Sequence, residues 1–254
     1  MSKKILVAMS GGVDSSVSLL KIIEQGFEPV GVTMKLWEYQ SMGGNIKSDN
    51  NCCAIESINN AKLVCDQFEI PHYTLDFTKI FKEKVVDNFS NEYIAGRTPN
   101  PCVRCNSYVK WDALIDYADM LNIPYIATGH YAQIDKIDHQ YFLKKGIDNK
   151  KDQSYVLWGI PRDTLARTFF PLGQLTKKDV RKIANDNKLQ NANEPESMEI
   201  CFVADNNYKR FLKDYSPDKI KKIGNGTIID ENDNTIGKHK GYINYTIGQR
   251  KGIK

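Results

Sequence analysis

The sequence predicts an α/β fold with a doubly wound parallel sheet, followed by a small β-rich domain. In the first half of the chain, short segments typical of buried strands alternate with segments whose apolar residues recur at helical spacing. Strands that alternate with helices form parallel sheets, because each return to the sheet requires a crossover. In the final part of the chain Lys, Asn, Asp and Gly dominate, and only short strands are predicted. We therefore place one domain at residues 1–205 and a second at residues 206–254.

The predicted elements follow in order along the chain. Strands of the sheet are predicted at residues 5–9, 29–34, 72–75 and 124–128. Helices are predicted from Val17 to the stop at Gly26 and at residues 54–68, 77–94, 109–121 and 176–187. Turn-forming residues predict loops at residues 38–53 and 96–106. A hairpin is predicted at residues 132–145, and further strands at residues 151–158, 200–203, 227–229 and 242–247.

The loop after the first strand, residues 10–16 with the sequence SGGVDSS, has the features of an anion site. Two adjacent glycines let the backbone approach a ligand closely, and the start of the next helix directs N–H groups at it. Serine hydroxyls add donors, and the aspartate can orient them or hold a metal ion. No Gly-Lys-Ser/Thr follows, so the loop is not of the Walker type. For the two glycines alone, an ordinary glycine-rich turn is the alternative interpretation.

Bulk composition is that of a globular protein. The 254 residues are 41% hydrophobic and 26% charged, with a formal net charge of +4. This charge is compatible with binding nucleic acid, which requires a local basic patch rather than a high total. No apolar run approaches the ~20 residues of a membrane-spanning helix. We therefore expect a cytoplasmic protein without a membrane partner.

The cysteines include one Cys-x-x-Cys pair, Cys102 and Cys105. Arg104 and Lys110 are expected to favour a thiolate there, as is a helix that begins just after Cys105. No second Cys-x-x-Cys accompanies the pair, which disfavours a four-cysteine zinc site. Cys201 follows far along the chain on a predicted strand, where a cysteine is usually a small buried hydrophobe. Its chemistry depends on whether it meets Cys105 in space.

Several stretches, taken together, resemble one family. They lie at residues 10–16, 53–56, 96–101, 105–106, 128–131, 151–155, 200–202 and 248–252. In this order they are similar to motifs of the tRNA-specific 2-thiouridylases, members of the PP-loop ATP pyrophosphatase superfamily. The fold implied is an adenine nucleotide alpha hydrolase-like PP-loop domain. The family ends in a further β-barrel that is absent from this sequence, so we expect the sequence to be part of a longer protein.

The resemblance implies ATP-dependent 2-thiolation of the wobble uridine of tRNA. In this family ATP adenylates the C2 oxygen of uracil, a cysteine persulfide supplies sulfur, and AMP and pyrophosphate leave. The resemblance makes Cys105 the catalytic thiol and Cys201 the carrier of the persulfide. It implies ATP and Mg²⁺, with Asp14 a candidate for holding the metal. The nucleotide is expected on Ala8, Met9, Ser10, Gly11, Gly12, Val13, Asp14, Ser15, Met34 and Gly129.

The resemblance also implies contacts with the RNA. Asn100, Pro101 and Cys102 are expected to face the target base, although many family members have aspartate where this chain has Cys102. Contacts with tRNA are expected from His130, Lys151, Asp152 and Gln153. The implied partners are tRNAs for Glu, Gln and Lys and a cysteine desulfurase or sulfur-relay protein, with the enzyme itself a monomer.

Three alternatives remain open at this point. Another PP-loop ligase or amidase would not need the cysteine pair. An iron–sulfur-cluster-dependent thiolase would use Cys102, Cys105 and Cys201 as ligands. A tRNA-binding module with a vestigial nucleotide fold would not convert ATP to AMP.

Overall fold

The computed structural model describes residues 3–37, 53–194, 200–203 and 205–250. Most of the loop predicted at residues 38–53 lies outside this range, as do residues 195–199 of the segment before Cys201.

Nine strands are present in the described residues. In chain order they are β1 (Lys4–Ala8), β2 (Glu28–Lys35), β3 (His72–Asp76), β4 (Tyr125–Ala127), β5 (Ala132–Ile137), β6 (Gln140–Lys145), β7 (Thr168–Phe169), β8 (Gly226–Ile229) and β9 (Thr235–His239). Five of them form one sheet in the order β3-β2-β1-β4-β7, with every neighbouring pair parallel. Strands β5 and β6 form one antiparallel hairpin, and β8 and β9 form another.

The helices of the described residues are α1 (Val13–Glu24), α2 (Cys53–Gln67), α3 (Thr78–Phe81), α4 (Asp87–Ile94), α5 (Pro101–Cys105), α6 (Trp111–Met120), α7 (Lys177–Asp186), α8 (Tyr208–Tyr215) and α9 (Pro217–Ile220). A π-helical turn over Lys82–Val86 joins α3 to α4, and a second over Asn106–Lys110 joins α5 to α6. Each of these pairs is therefore one continuous helix. No described helix combines the length and the apolar composition that crossing a membrane requires.

The central sheet is buried on both faces, as a doubly wound fold requires. Along β1, Ile5 and Val7 point into one core cluster, which includes residues of α1, α2 and α7. Leu6, between them, points into the opposite cluster with Trp111 and Leu114 of α6. Successive side chains of a strand alternate between faces, so a short run of apolar residues fills both cores. The predicted α/β class is confirmed.

A third apolar cluster connects the first domain with the C-terminal part of the chain. Phe202 packs edge to face against Phe89 of α4 and Phe211 of α8, with ring centroids 5.3 Å apart in both pairs. Cys105 belongs to the same cluster, and so does Ile243 from near the end of the described chain. The first helix of the C-terminal part, α8, therefore contributes to a core that it shares with α4.

Several sequence predictions are wrong in detail. The strand predicted at residues 151–158 is a 3₁₀ turn over Ser154–Leu157, and the one at residues 242–247 begins as a 3₁₀ turn over Tyr242–Asn244. Asp152 explains the first case. Its carboxylate accepts hydrogen bonds from the N–H groups of Gly146 and Ser154, at 3.0 and 3.2 Å, and an aspartate that bonds locally to the backbone favours a turn over an extended strand.

Two further differences concern the cysteine segments. Residues 200–203 form a turn rather than a strand, closed by a hydrogen bond from the Val203 N–H to the Ile200 carbonyl oxygen at 2.8 Å. The helix expected to begin after Cys105 begins at Pro101 instead. Asn100 caps it, because its Oδ1 accepts hydrogen bonds from the N–H groups of Cys102 and Val103. Helix α8 was not predicted, because charged residues occupy much of its length.

We expect Phe89→Ala to lower the free energy of unfolding by about 3–5 kcal/mol, because Phe89 is 1% exposed and joins the cores of the two units. Phe142→Ala is the matched control, since Phe142 is 39% exposed and should cost less than half as much. Urea denaturation followed by circular dichroism measures both. Equal losses would contradict a shared core around Phe89.

Candidate active site

The loop between β1 and α1 is shaped so that glycine is required at its first turn. Gly11 has φ of +82°, and a Cβ atom there would lie 2.1 Å from the carbonyl oxygen of Ser57. A larger residue would therefore be strained and would also collide with backbone. Gly12 follows in an extended conformation as the residue before α1, so the N–H groups of the first helical turn point out of the loop.

Hydroxyl groups and one buried amide hold this loop in place. Ser15 Oγ donates to the Gly12 carbonyl oxygen at 2.9 Å and accepts from the Ser10 N–H at 3.2 Å. Asn191, which is 1% exposed, donates from Nδ2 to the Gly11 carbonyl oxygen at 2.7 Å and to Ser16 Oγ at 2.9 Å. Sequence reasoning missed Asn191, since nothing local signals a contact that spans 180 residues.

Asp14 is held by two groups that the sequence analysis did not assign. The Tyr131 hydroxyl donates to Asp14 Oδ1 at 2.7 Å, and Lys177 Nζ lies 2.7 Å from the same oxygen. Lys177 is the first residue of α7, where a positive charge is unfavourable toward the helix dipole. The capping box of Thr176 marks the start of α7 and therefore places Lys177 in its first turn. This position was the available signal in the sequence that Lys177 needs an anionic partner.

The remaining residues expected to bind the nucleotide lie around this loop. Ala8 and Met34 lie near the carboxyl ends of the neighbouring strands β1 and β2, and Met9 follows directly after β1. Gly129 follows β4, and a Cβ atom there would lie 2.9 Å from the Ser15 amide nitrogen. The structure thus brings the predicted set together at the edge where a parallel sheet binds its ligands.

The loop fits the triphosphate of ATP on two observations. Gly11 and Gly129 leave room where side chains would fill the loop, and the N-terminus of the 12-residue helix α1 faces the same space. Among the described residues, no group of three or more His, Cys, Asp or Glu side chains is placed to hold a metal ion. Asp14 is the carboxylate that lies at the loop, in the first turn of α1.

The cysteines of the predicted catalytic pair approach each other through the shared core. Cys105, 6% exposed, is the last residue of α5 and packs in the cluster that contains Phe202 and Val203. Cys201 directly precedes these two residues in a turn. Cys105, and to a smaller extent Cys102, act electrostatically on the Cys201 thiol and raise its pKa. None of these three forms a disulfide.

Burial opposes thiolate formation at both cysteines of the predicted catalytic pair. Burial raises the pKa of the Cys105 thiol, and the positive charge of Lys110 offsets part of this increase. Cys201 is an exposed residue, but its thiol is buried. This burial, together with the electrostatic effect of Cys105, raises the pKa of the Cys201 thiol to about 12. The expectation that the surroundings favour a thiolate is therefore wrong in its net direction. Helix α5 begins at Pro101 and Cys105 is its last residue, so Cys105 is not at the positive end of the helix.

The residues expected to face the target base lie at the start of α5. Asn100 caps the helix, Pro101 is its buried first residue, and Cys102 is exposed. Asn100 Nδ2 donates to the hydroxyl oxygen of Tyr155 at 2.6 Å. This hydrogen bond joins the cysteine helix, the continuous helix from α5 to α6 that bears Cys102 and Cys105, to the segment that contains the expected tRNA contacts.

Two of the expected tRNA contacts are engaged in the fold. Gln153 Oε1 accepts a hydrogen bond from the backbone N–H of Tyr131 at 3.0 Å, and the backbone N–H of Gln153 donates to the Tyr131 carbonyl oxygen at 2.9 Å. Asp152 closes the turn that ends at Ser154, accepting from its Oγ at 2.9 Å. These side chains thus position the segment, whereas Lys151 lies at its entrance.

His130 is held between aromatic rings beside the loop. Its Nδ1 lies 2.8 Å from the Thr128 hydroxyl oxygen, and its ring centroid is 5.7 Å from that of Trp111 and 6.3 Å from that of Phe170. Burial, and then the positive charge of Lys110, lower the pKa of His130 to about 3. A neutral imidazole contacts RNA through hydrogen bonds rather than through charge.

Comparisons with known proteins agree on the family. A model described as "tRNA methyl transferase HUP domain" matches residues 3–205, and one described as "tRNA methyl transferase PRC-barrel domain" matches residues 209–254. Among solved structures, the U34-tRNA thiolase NcsA from Methanococcus maripaludis with its 4Fe-4S cluster covers 85% of this chain and 72% of its own. It is 15% identical with a TM-score of 0.47, a similarity too low to transfer function.

Curated relatives are much closer in sequence. The tRNA-specific 2-thiouridylase MnmA of Cytophaga hutchinsonii is 47% identical over 256 residues, an alignment that covers 100% of this chain and 69% of the relative. The protein of the same name from Salinibacter ruber is 48% identical over 258 residues, with 100% and 67% covered. Together with the loop and the grouped thiols, this similarity establishes that the chain belongs to the tRNA-specific 2-thiouridylase family.

Proposed function

We propose that this chain catalyses the ATP-dependent 2-thiolation of the wobble uridine of tRNA. The observation that carries the proposal is the connection between a glycine loop suited to ATP and a helix that bears a cysteine pair. Tyr131 forms hydrogen bonds to Asp14 of the loop and to Gln153. Tyr155, two residues after Gln153, forms a hydrogen bond to Asn100 at the start of the cysteine helix. Activation by ATP and attack by sulfur therefore have their residues on one continuous structure.

The nucleotide step follows from the chemistry of uracil. The C2 carbonyl oxygen is a poor leaving group, and transfer of AMP from ATP converts it into a good one while pyrophosphate departs. Backbone N–H groups at the start of α1 and the serine hydroxyls of the loop would hold the phosphates. Bound Mg²⁺ would neutralise phosphate charge and polarise the phosphoryl group. In this state Lys177, which now neutralises Asp14, would stand beside the phosphates as well.

The sulfur step uses the thiols of Cys105 and Cys201. The terminal sulfur of a persulfide on Cys201 attacks C2, and AMP leaves with the former oxygen. The Cys105 thiolate then attacks the inner sulfur of Cys201, which releases the thiocarbonyl product and leaves a Cys105–Cys201 disulfide. An external thiol reductant supplies the two electrons that return both cysteines to thiols. Grouping of Cys105 with the Cys201 turn in one core supports this route.

The family descriptions mention methyl transfer, whereas the curated relatives are named as thiouridylases. Methyl transfer needs neither a loop suited to pyrophosphate nor a pair of thiols. Amidation by another PP-loop enzyme likewise has no use for Cys105 and Cys201. The grouped thiols therefore favour sulfur transfer.

We propose the same partners for this chain that its family resemblance implies. These are tRNAs for Glu, Gln and Lys and a cysteine desulfurase or relay protein that loads the persulfide, with a monomeric enzyme acting in the cytoplasm. To reach the loop, the target base must leave the anticodon stack. Asn100, Pro101 and Cys102 would meet it at the start of α5, and Lys151 and His130 would contact the RNA nearby.

The decisive experiment is anaerobic thiolation of transcribed tRNA(Glu) with ATP, a thiol reductant, and a cysteine desulfurase with cysteine as the source of persulfide sulfur, comparing the unmodified chain with Cys105→Ala and Cys201→Ala. We expect 2-thiouridine and AMP from the unmodified chain, and at least a hundredfold less 2-thiouridine from each variant, because each removes a sulfur that must form a bond. Cys65→Ala is the matched control, since Cys65 is buried in a different core cluster. Mass spectrometry of the digested RNA measures the product.

Iron is quantified in the same preparations. Product in proportion to bound iron would replace the persulfide route with an iron–sulfur cluster on Cys102, Cys105 and Cys201. Turnover of ATP to AMP without thiolated RNA would instead indicate another PP-loop reaction. Binding of tRNA without any ATP turnover would leave only a binding module.

The rate of Cys105 alkylation is expected to rise with pH and to reach half its maximum above the ordinary value for a cysteine, because burial raises the pKa of this thiol. Lys110→Ala removes the positive charge that opposes this effect, so at pH 7.5 alkylation should become severalfold slower. Lys110→Arg should restore it. Labelling with iodoacetamide, followed by quantification of the Cys105 peptide, measures the rates. An unchanged profile in Lys110→Ala would show that Lys110 does not act on this thiol.

A further inference from the structure

Two large aromatic side chains lie exposed beside the cysteine helix, and the mechanism above does not use them. Tyr155 is 62% exposed and Trp158 is 73% exposed. Both belong to the 3₁₀ turn that begins at Ser154, with Trp158 closing it in a helical conformation. Side chains three residues apart eclipse one another in a 3₁₀ helix, so these two rings lie on the same side of the turn.

The turn is fixed rigidly to the cysteine helix. Leu157 is fully buried, and the Val156 carbonyl oxygen accepts a hydrogen bond from Asn106 Nδ2 at 3.1 Å. A Cβ atom on Gly159 would lie 2.4 Å from Ser107 Oγ, so the chain runs in direct contact with the helix after Trp158. These contacts fix the orientation of the turn, so that the rings of Tyr155 and Trp158 stay on the surface.

The surroundings indicate what these rings contact. Tyr155 bonds to Asn100, which places the aromatic pair beside the residues expected to face the target base. On the same helix, Arg104 stacks 4.7 Å from the ring centroid of Tyr108, which is itself 48% exposed. Exposed rings with interleaved cations are the features of surfaces that bind single-stranded nucleic acid, where bases stack on aromatics and cations meet phosphates.

We infer that Tyr155 and Trp158 form a stacking platform for unpaired anticodon-loop nucleotides that flank the target base. The inference rests on the proposed function and adds to it residues that hold the neighbouring bases while the wobble base is extruded. Stacking on the platform would replace part of the base stacking that the anticodon loses when the wobble base leaves. A persulfide-donor protein is the other candidate occupant, and the positive charge of Arg104, on the helix to which Tyr155 bonds, favours RNA.

The test measures binding of a synthetic anticodon stem–loop by the full chain without ATP, so that it does not depend on catalysis. We expect Trp158→Ala to weaken binding by about 5- to 150-fold, the range that corresponds to a base–aromatic stack of ~1–3 kcal/mol. Trp158→Phe should restore most of the affinity, because it keeps a ring. Tyr155→Phe, which removes only the hydroxyl bonded to Asn100, separates that hydrogen bond from stacking by the ring.

A double-mutant cycle identifies the contact. Two stem–loops are made, each with an abasic site at one of the two positions that flank the wobble base. Both should bind the unmodified chain more weakly than the intact stem–loop does. Trp158→Ala should bind one of them as tightly as it binds the intact stem–loop, because the base that stacks on Trp158 is the one removed. Quenching of Trp158 fluorescence by the intact stem–loop gives a second readout, with Trp158→Phe to subtract the signals of Trp37 and Trp111. Met120→Ala, an exposed apolar residue on α6, is the control for loss of a surface side chain.

Additive losses at both abasic positions would overturn the platform, as would unchanged affinity of Trp158→Ala. Unchanged RNA binding combined with slower persulfide loading would assign the rings to the donor protein instead. An unmodified chain that binds no stem–loop would also overturn the inference, while the thiolation assay reports separately on the proposed function.

Discussion

The arrangement of the site depends on Tyr131 more than on any other residue. Its hydroxyl bonds to Asp14 in the nucleotide loop, and its backbone bonds twice to Gln153. The turn that follows Gln153 then contacts the cysteine helix at Asn100 and Asn106. Because Tyr131 is 2% exposed, this connection is shielded from water and resists rearrangement. The loop and the thiols thereby keep a fixed relation although they lie on different elements.

Burial of a thiol lowers its reactivity and also protects it. A thiol whose pKa is raised is a poor nucleophile at neutral pH, which slows the sulfur step. Burial of Cys105 limits oxidation and alkylation of this thiol by small molecules while the enzyme waits for its substrates. Lys110 offsets part of the lost reactivity, since its charge lowers the pKa of Cys105 and Cys201. It also acts on His130, which stays neutral beside the loop.

Sequence predicted those features that depend on neighbouring residues. The alternation of strands and helices in the first half of the chain and the glycine loop follow from local apolar spacing and from turn chemistry, and the structure confirms them. Contacts between distant segments were not predictable in the same way. Asn191 supports the loop across 180 residues, and Asp152 converts a strand-like segment into a turn through its own carboxylate. The side-chain environment of Cys105 was also mispredicted, because burial outweighs a nearby positive charge.

The position of Asn191 also bears on how the nucleotide loop is supported. It lies ten residues before Cys201, and its amide holds Gly11 and Ser16 of the nucleotide loop. Arg181 of α7 donates to the carbonyl oxygens of Ala192 and Glu194, which fixes the chain directly after Asn191. The same helix begins with Lys177, the partner of Asp14. The nucleotide loop and the chain directly after Asn191 thus share one structural support, helix α7.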